Sequence, residues 1–126
     1  RDDVELKDFG AEAGEVVLYP DVAKVVAEAV ASGEFERGIL VCGTGIGMCI
    51  TANKIPGIRA AVCHDPFSTE RSRKSNNAQI MCMGERVIGP ELAKYLVDIW
   101  LKCDFAGGGS TPKVNRINEI DAEYKK

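Results

Sequence analysis

The chain has 126 residues, enough for one domain around a single buried core, and its 45% hydrophobic and 28% charged residues are ordinary for a globular protein. A net charge of −3 offers nothing to nucleic acid or an anionic membrane surface, and no apolar run approaches a membrane span or a signal-peptide pattern. The five cysteines (Cys42, Cys49, Cys63, Cys82 and Cys103) are odd in number and form no C-x-x-C pair, and His64 is the only histidine. That usage argues against structural zinc and for reduced thiols in a cytoplasmic protein.

Taken in order, Val4–Phe9 alternates apolar and polar residues as a strand does and is stopped by Gly10, with a loop to Leu18. Tyr19-Pro20-Asp21 begins a helix whose inner face is Val22, Val25, Val26, Ala29 and Val30, closed by Ser32-Gly33. Ile39-Leu40-Val41 is a continuous apolar run, expected to be a central parallel strand, followed by a glycine loop and a helix from about Ile46 to Lys54. After Pro56-Gly57 come a strand over Ile58–Cys63 and a charged helix over Phe67–Ser75, expected to face solvent. Gln79–Met83 reads as a buried strand stopped by Gly84, and Pro90 opens a helix with Leu92, Leu96, Ile99, Trp100 and Cys103 on one face. Gly107-Gly108-Gly109 is a break, and Thr111-Pro112 opens a last charged helix. Strands alternating with helices predict an α/β fold, a parallel sheet with helices on both faces.

The stretch that points to chemistry is Gly38–Lys54, GILVCGTGIGMCITANK. Cys42 falls at the carboxyl end of a strand, where open α/β sheets receive their ligands. Gly43, Gly45 and Gly47 let backbone approach a bound group closely, and the following helix directs free N–H groups and a positive dipole end at it. A thiol, the Thr44 hydroxyl, a run of backbone donors and a helix start in one place outweigh the alternative of a core cysteine beside a tight turn. Cys49, Cys63, Cys82 and Cys103 read as core residues, and Trp100 as packing on its helix face.

CGTGIG followed by ANK, then PGIRAAVCHD and GERVIG, resembles the type B ribose-5-phosphate isomerases and the galactose-6-phosphate isomerase subunits, from Tyr19 to the final helix. The resemblance implies a Rossmann-like three-layer α/β sandwich over residues 1–126, a single sugar-phosphate isomerase domain. The family's first strand and its sugar-binding loop are expected to fall outside this chain. It further implies a homodimer or higher homo-oligomer with shared active sites, the helix over 107–126 packing on a partner subunit. The implied reaction is aldose–ketose interconversion of a phosphorylated sugar, ribose-5-phosphate by default, through a cis-enediolate without metal or organic cofactor. On this pattern Cys42 is the catalytic base, and Thr44 with the amides of Gly43, Gly45, Ile46 and Gly47 holds the enediolate oxygen. Asn76 contacts sugar hydroxyls and Arg86 binds phosphate. Physical chemistry agrees: a helix start favours an ionised sulfur, and preorganised amides suit a developing oxyanion.

The sequence departs from the family in three places. Ser75-Asn76-Asn77 stands where a ring-opening histidine begins an H-N-D run, and serine is no acid near neutral pH. An already open-chain substrate, such as a tetrose phosphate, or another pentose or hexose phosphate, is the consequence. The basic G-R-H-x-x-R-V clamp is reduced to Gly108–Val114, where Lys113 keeps one charge and Arg116 adds another. Nothing here matches the family's initial G-S-D-H-x-G loop. His64 could stand in as an acid, although a loop-capping role is the expectation. The altered residues also keep a non-catalytic sugar-phosphate-binding subunit as an alternative, against which Cys42 argues. A thiol-dependent phosphatase is weaker, because no arginine follows Cys42 within the loop to hold a transferring phosphoryl group.

Overall fold

The computed structural model describes Lys7 and residues 18–125. Apart from Lys7, the strand expected over Val4–Phe9 lies outside the described residues. The elements are α1 (Tyr19–Ala31), β1 (Gly38–Cys42), α2 (Ile46–Ala52), β2 (Ala60–Val62), α3 (Pro66–Lys74), β3 (Ile80–Gly84), α4 (Pro90–Lys102), a 3-10 turn (Gly108–Ser110) and α5 (Thr111–Tyr124). Pro20, Pro66, Pro90 and Pro112 lie in the first turns of α1, α3, α4 and α5, where a missing N–H costs nothing. Asp65 caps α3 by accepting from the Ser68 amide at 2.8 Å, and that bond holds its carboxyl below the usual carboxylate range.

All three strands are parallel, in the order β1-β3-β2. The chain crosses from β1 through α2 to the far edge and returns through α3 to fill the middle. All five residues of β3 are therefore buried. Among the described residues β1 has a neighbour on one side only, β3, and Val41 is 49% exposed. Alternation along β3 feeds two cores. Ile80 and Cys82 join Leu40 and the inner faces of α1 and α2 (Ala23, Val26, Ala27, Val30, Met48, Ala52). Met81 and Met83 face the other way, against Leu96 and Trp100 of α4.

Trp100 is fully buried, contributing on the order of 3 kcal/mol by the usual cost of truncating such a ring. Arg37 and Arg73 lie over it at 5.4 and 6.0 Å from the ring centre. The same two guanidiniums donate to the last carbonyls of α4 and just beyond, Arg37 to Trp100 and Cys103 and Arg73 to Cys103, which satisfies an otherwise open helix end. Arg73 also donates to Asn77 Oδ1 and the Ala78 carbonyl, tying down the turn that enters β3. The helix expected to be solvated thus buries Thr69, Ser72 and Arg73. Its polar residues are internal because each finds a partner: Thr69 and Ser72 donate to backbone carbonyls.

Two side-chain amides complete the start of β2. Asn53 accepts from the Ala60 N–H at 2.8 Å and donates to the Ala60 carbonyl at 3.0 Å, imitating a neighbouring strand. Gln79 does the same one step earlier, accepting from the Arg59 N–H and donating to the Gly57 carbonyl. Helix α5 docks on this end of the sheet through polar contacts. Asn118 accepts from Arg59, Asp121 accepts from the Gly57 amide, and Lys125 reaches both Asp121 and the Asn53 carbonyl. Lys125 and that amide hold the Asp121 carboxyl below its ordinary range.

Replacing Asn53 by alanine leaves the Ala60 N–H without a protein partner and its carbonyl with only the Cys49 thiol. The urea midpoint is expected to fall by the equivalent of about 1–3 kcal/mol with an unchanged slope.

Candidate active site

The carboxyl end of the sheet is assembled around glycine. Gly84, the last residue of β3, pairs with Cys42, and a Cβ added at Gly84 would lie 2.6 Å from the Gly43 carbonyl oxygen and from Thr44 backbone atoms. Only a hydrogen there lets the loop after β1 lie across the end of β3. Gly45 adopts φ +81°, and its own Cβ would meet the Met83 backbone at 2.9 Å. The segment after β3 is laced to the loop, the Glu85 amide donating to the Cys42 carbonyl and the Arg86 amide to that of Gly43.

This folding turns donors toward the thiol. The Gly45 N–H donates to Cys42 Sγ at 3.1 Å, and Cys42 is part-exposed. A backbone donor on sulfur stabilises it most when the sulfur is an anion. Thr44 Oγ1 accepts from the Ile46 N–H at 3.2 Å, so its own hydrogen is free to be donated outward. Gly47 and Met48, in the first turn of α2, have no carbonyl partners among the described residues, as expected of a helix start. Arg86 runs alongside Gly43, its Cδ and Nε 3.7 and 3.9 Å from where a Cβ of that residue would be. Its guanidinium is exposed and has no ion pair among the described residues.

His64 lies at the same end of the sheet, and its Nε2 accepts from the Gly84 amide at 2.8 Å. The ring proton is therefore on Nδ1, and the side chain closes the end of β3, in keeping with a capping role. Cys63, Cys82 and Cys103 are buried as expected. Cys49, on α2, is only part-buried. The Cys82 thiol donates to its sulfur and holds it down to about 7, while Cys82 is pushed far up. Cys49 Sγ also contacts Asn53 Nδ2 and the Ala60 carbonyl at 3.5 and 3.4 Å, so it belongs to the α2–sheet contact rather than to the loop mouth.

The other expected site residues lie elsewhere. Asn76 precedes β3, at the amino end of the sheet. Five strand residues separate that end from Cys42, about 13 Å at the usual rise. Lys113 and Arg116 are on α5, whose later turns dock at the same amino end, and both are exposed. Arg116 is engaged by Glu119 and Glu123 at 3.9 and 3.4 Å. Within one chain, Cys42, Thr44, Gly43, Gly45, Ile46, Gly47 and Arg86 come together, and Asn76, Lys113 and Arg116 form no part of that group.

Sequence reading missed one neighbour. Tyr19 lies on Gly47, where a Cβ would fall 2.3 Å from the phenol oxygen. The only signal for it is that a helix-start glycine with no turn to make needs another reason to be glycine.

Anion-seeking donors gathered at the carboxyl ends of parallel strands are the layout of the open-sheet α/β enzymes. The profile of the ribose/galactose isomerase family matches residues 1–118. The chain is 58% identical over 112 residues to the D-erythrulose-4-phosphate isomerase of Pectobacterium atrosepticum, covering 89% of this chain and 74% of that protein. It is also 58% identical over 122 residues to the ribose-5-P isomerase B of Listeria innocua, covering 97% and 82%. The ribose-5-phosphate isomerase B structure from Clostridium thermocellum superposes with a TM-score of 0.93 at 50% identity, over 98% of this chain and 83% of that one. The chain belongs to the ribose/galactose isomerase family, and it is an enzyme, an aldose–ketose isomerase of sugar phosphates.

Gly84→Ala forces a Cβ into the loop backbone. It is expected to cost about 1–3 kcal/mol as overpacking does, and to depress isomerase activity beyond that loss because the Gly45–Cys42 contact shifts. Denaturation and kinetics on the same preparation check both effects.

Proposed function

We propose that the enzyme interconverts an aldose phosphate and its ketose through a cis-enediolate, with Cys42 as the base. The observation that carries this reading is the Gly45 N–H on a part-exposed Cys42 Sγ, beside an arginine with no ion pair among the described residues. The ionised sulfur takes the proton from C2 of the open-chain aldose. The C–H electrons form the C1–C2 double bond, and charge passes to O1. Thr44 Oγ1 and the loop amides hold that oxygen. The proton returns to C1 and the O2 hydrogen moves to O1, giving the ketose. Arg86 meets the phosphate as a planar charged fork.

Asn76, Lys113 and Arg116 serve the site of a second copy, the protein acting as a homodimer or larger homo-oligomer. Supporting this is their position at the opposite end of the sheet from Cys42, and the exposed Ile117, Ile120 and Tyr124 on α5, which suit a partner's surface. Five unpaired cysteines are consistent with work in the reducing cytoplasm.

Ribose-5-phosphate is one candidate substrate, by the relative from Listeria innocua. A four-carbon phosphate is the second reading, favoured by a specific observation. Ser75 Oγ accepts from Arg71 Nη1 at 3.1 Å, so a group unable to act as an acid is held inside the protein's own network. A tetrose with phosphate on C4 cannot close a furanose ring and needs no ring-opening acid. The D-erythrulose-4-phosphate isomerase of Pectobacterium atrosepticum, at 58% identity, fits that reading.

Cys42→Ala is expected to lower kcat by about 10²- to 10⁴-fold with little change in melting temperature, the usual share of a general base. Exchange of the C2 proton into solvent should disappear with it, and kcat within a fewfold of the parent would remove Cys42 from the chemistry. Mixing the separately weakened Cys42→Ala and Asn76→Ala proteins should restore up to about a quarter of the parental activity if each site draws on two copies. Ser75→His should raise turnover of ribose-5-phosphate and leave that of D-erythrulose-4-phosphate unchanged if ring opening limits the former.

A further inference from the structure

Tyr19 is the first residue of α1 and is half-exposed, with Pro20 behind it fixing the direction of the helix. Its ring covers Gly47 so closely that a Cβ there would lie 2.3 Å from the phenol oxygen, 2.5 Å from Cε1 and 2.6 Å from Cζ. Nothing in the backbone of Gly47 demands glycine, since it lies inside α2 and is absent from the positive-φ residues. The position is glycine to admit the phenol. A tyrosine seated that way holds its oxygen end against the first turn of α2, next to the Cys42 loop. Among the described residues that oxygen has no hydrogen-bond partner. Arg86 stands against Gly43 at the other end of the same loop, so the two side chains bracket the five residues from Gly43 to Gly47.

We infer that Tyr19 is a substrate-binding residue, its hydroxyl donating to an oxygen of the bound sugar phosphate across the loop from Arg86. A phenol suits this place because it is rigid, keeps its proton near neutral pH and fixes orientation through a single donor. Gly47 is then a specificity element at one remove, since its missing side chain sets where the phenol stands. The inference rests on the isomerase reading of the Cys42 loop.

Tyr19→Phe keeps the ring on Gly47 and removes only the oxygen, so it separates binding from packing. Kinetics with ribose-5-phosphate and with D-erythrulose-4-phosphate should show KM raised about tenfold on the substrate the parent uses best, the worth of one hydrogen bond, with the melting temperature unchanged. Gly47→Ala, which displaces the ring, should raise KM at least as much. Parental KM and kcat in Tyr19→Phe, with the parent active, overturns the role of Tyr19 and leaves the isomerase reading standing. A parent inactive on both sugars, in which Cys42→Ala also changes nothing, removes the reading on which the inference rests.

Discussion

The site depends on how closely the loop after β1 lies over the end of β3. That contact is backbone against backbone, at a distance that no side chain at Gly84 would allow, and it determines everything placed around it. With the loop down, the Gly45 amide reaches the Cys42 sulfur, the Glu85 and Arg86 amides find the carbonyls of Cys42 and Gly43, and the arginine side chain runs along the loop. The two cores beneath serve this end by holding β3 rigid from both faces, with Ile80 and Cys82 on one side and Met81 and Met83 on the other. A site whose donors are backbone amides can be no more accurate than the strands that carry them.

The molecule has two chemical ends. At the carboxyl end of the sheet the polar groups face outward, and among the described residues the Arg86 guanidinium and the Gly47 and Met48 amides lack partners. At the amino end they are turned inward and satisfied. Asn53 and Gln79 complete the start of β2, Arg73 holds the turn before β3, and Asp121 and Lys125 fasten α5. Unsatisfied donors in the open are what a ligand-binding surface needs, whereas satisfied ones give stability. The exposed residues at the amino end, Asn76 and Lys113 among them, border this well-fastened region and so are presented on a firm support.

Much of this was legible in the sequence, for physical reasons. Prolines at four helix starts, the glycine spacing after Cys42 and the apolar runs of β1 and β3 are local signals, and local geometry obeys them. Strand order is not local. Ile39–Val41 is as apolar as Ile80–Met83, and only the crossovers through α2 and α3 decide that β3 lies between the other two described strands. The α3 segment looked solvated because Thr69, Ser72 and Arg73 are polar, and a pattern of polarity cannot register that each has a buried partner. Asn76 matched a motif, but the distance between it and Cys42 depends on the whole sheet. The Tyr19–Gly47 contact joins residues on different helices and leaves only an unexplained glycine as its trace.

Asn53 has a consequence beyond the site. By taking both outward-facing backbone groups of Ala60, its amide occupies the hydrogen-bonding rim of an edge strand that would otherwise invite any extended peptide to add itself. Growth of the sheet on that side is blocked where β2 begins, by one side chain from the preceding helix. An extended peptide pairing with the start of β2 would first have to displace that amide from both groups of Ala60.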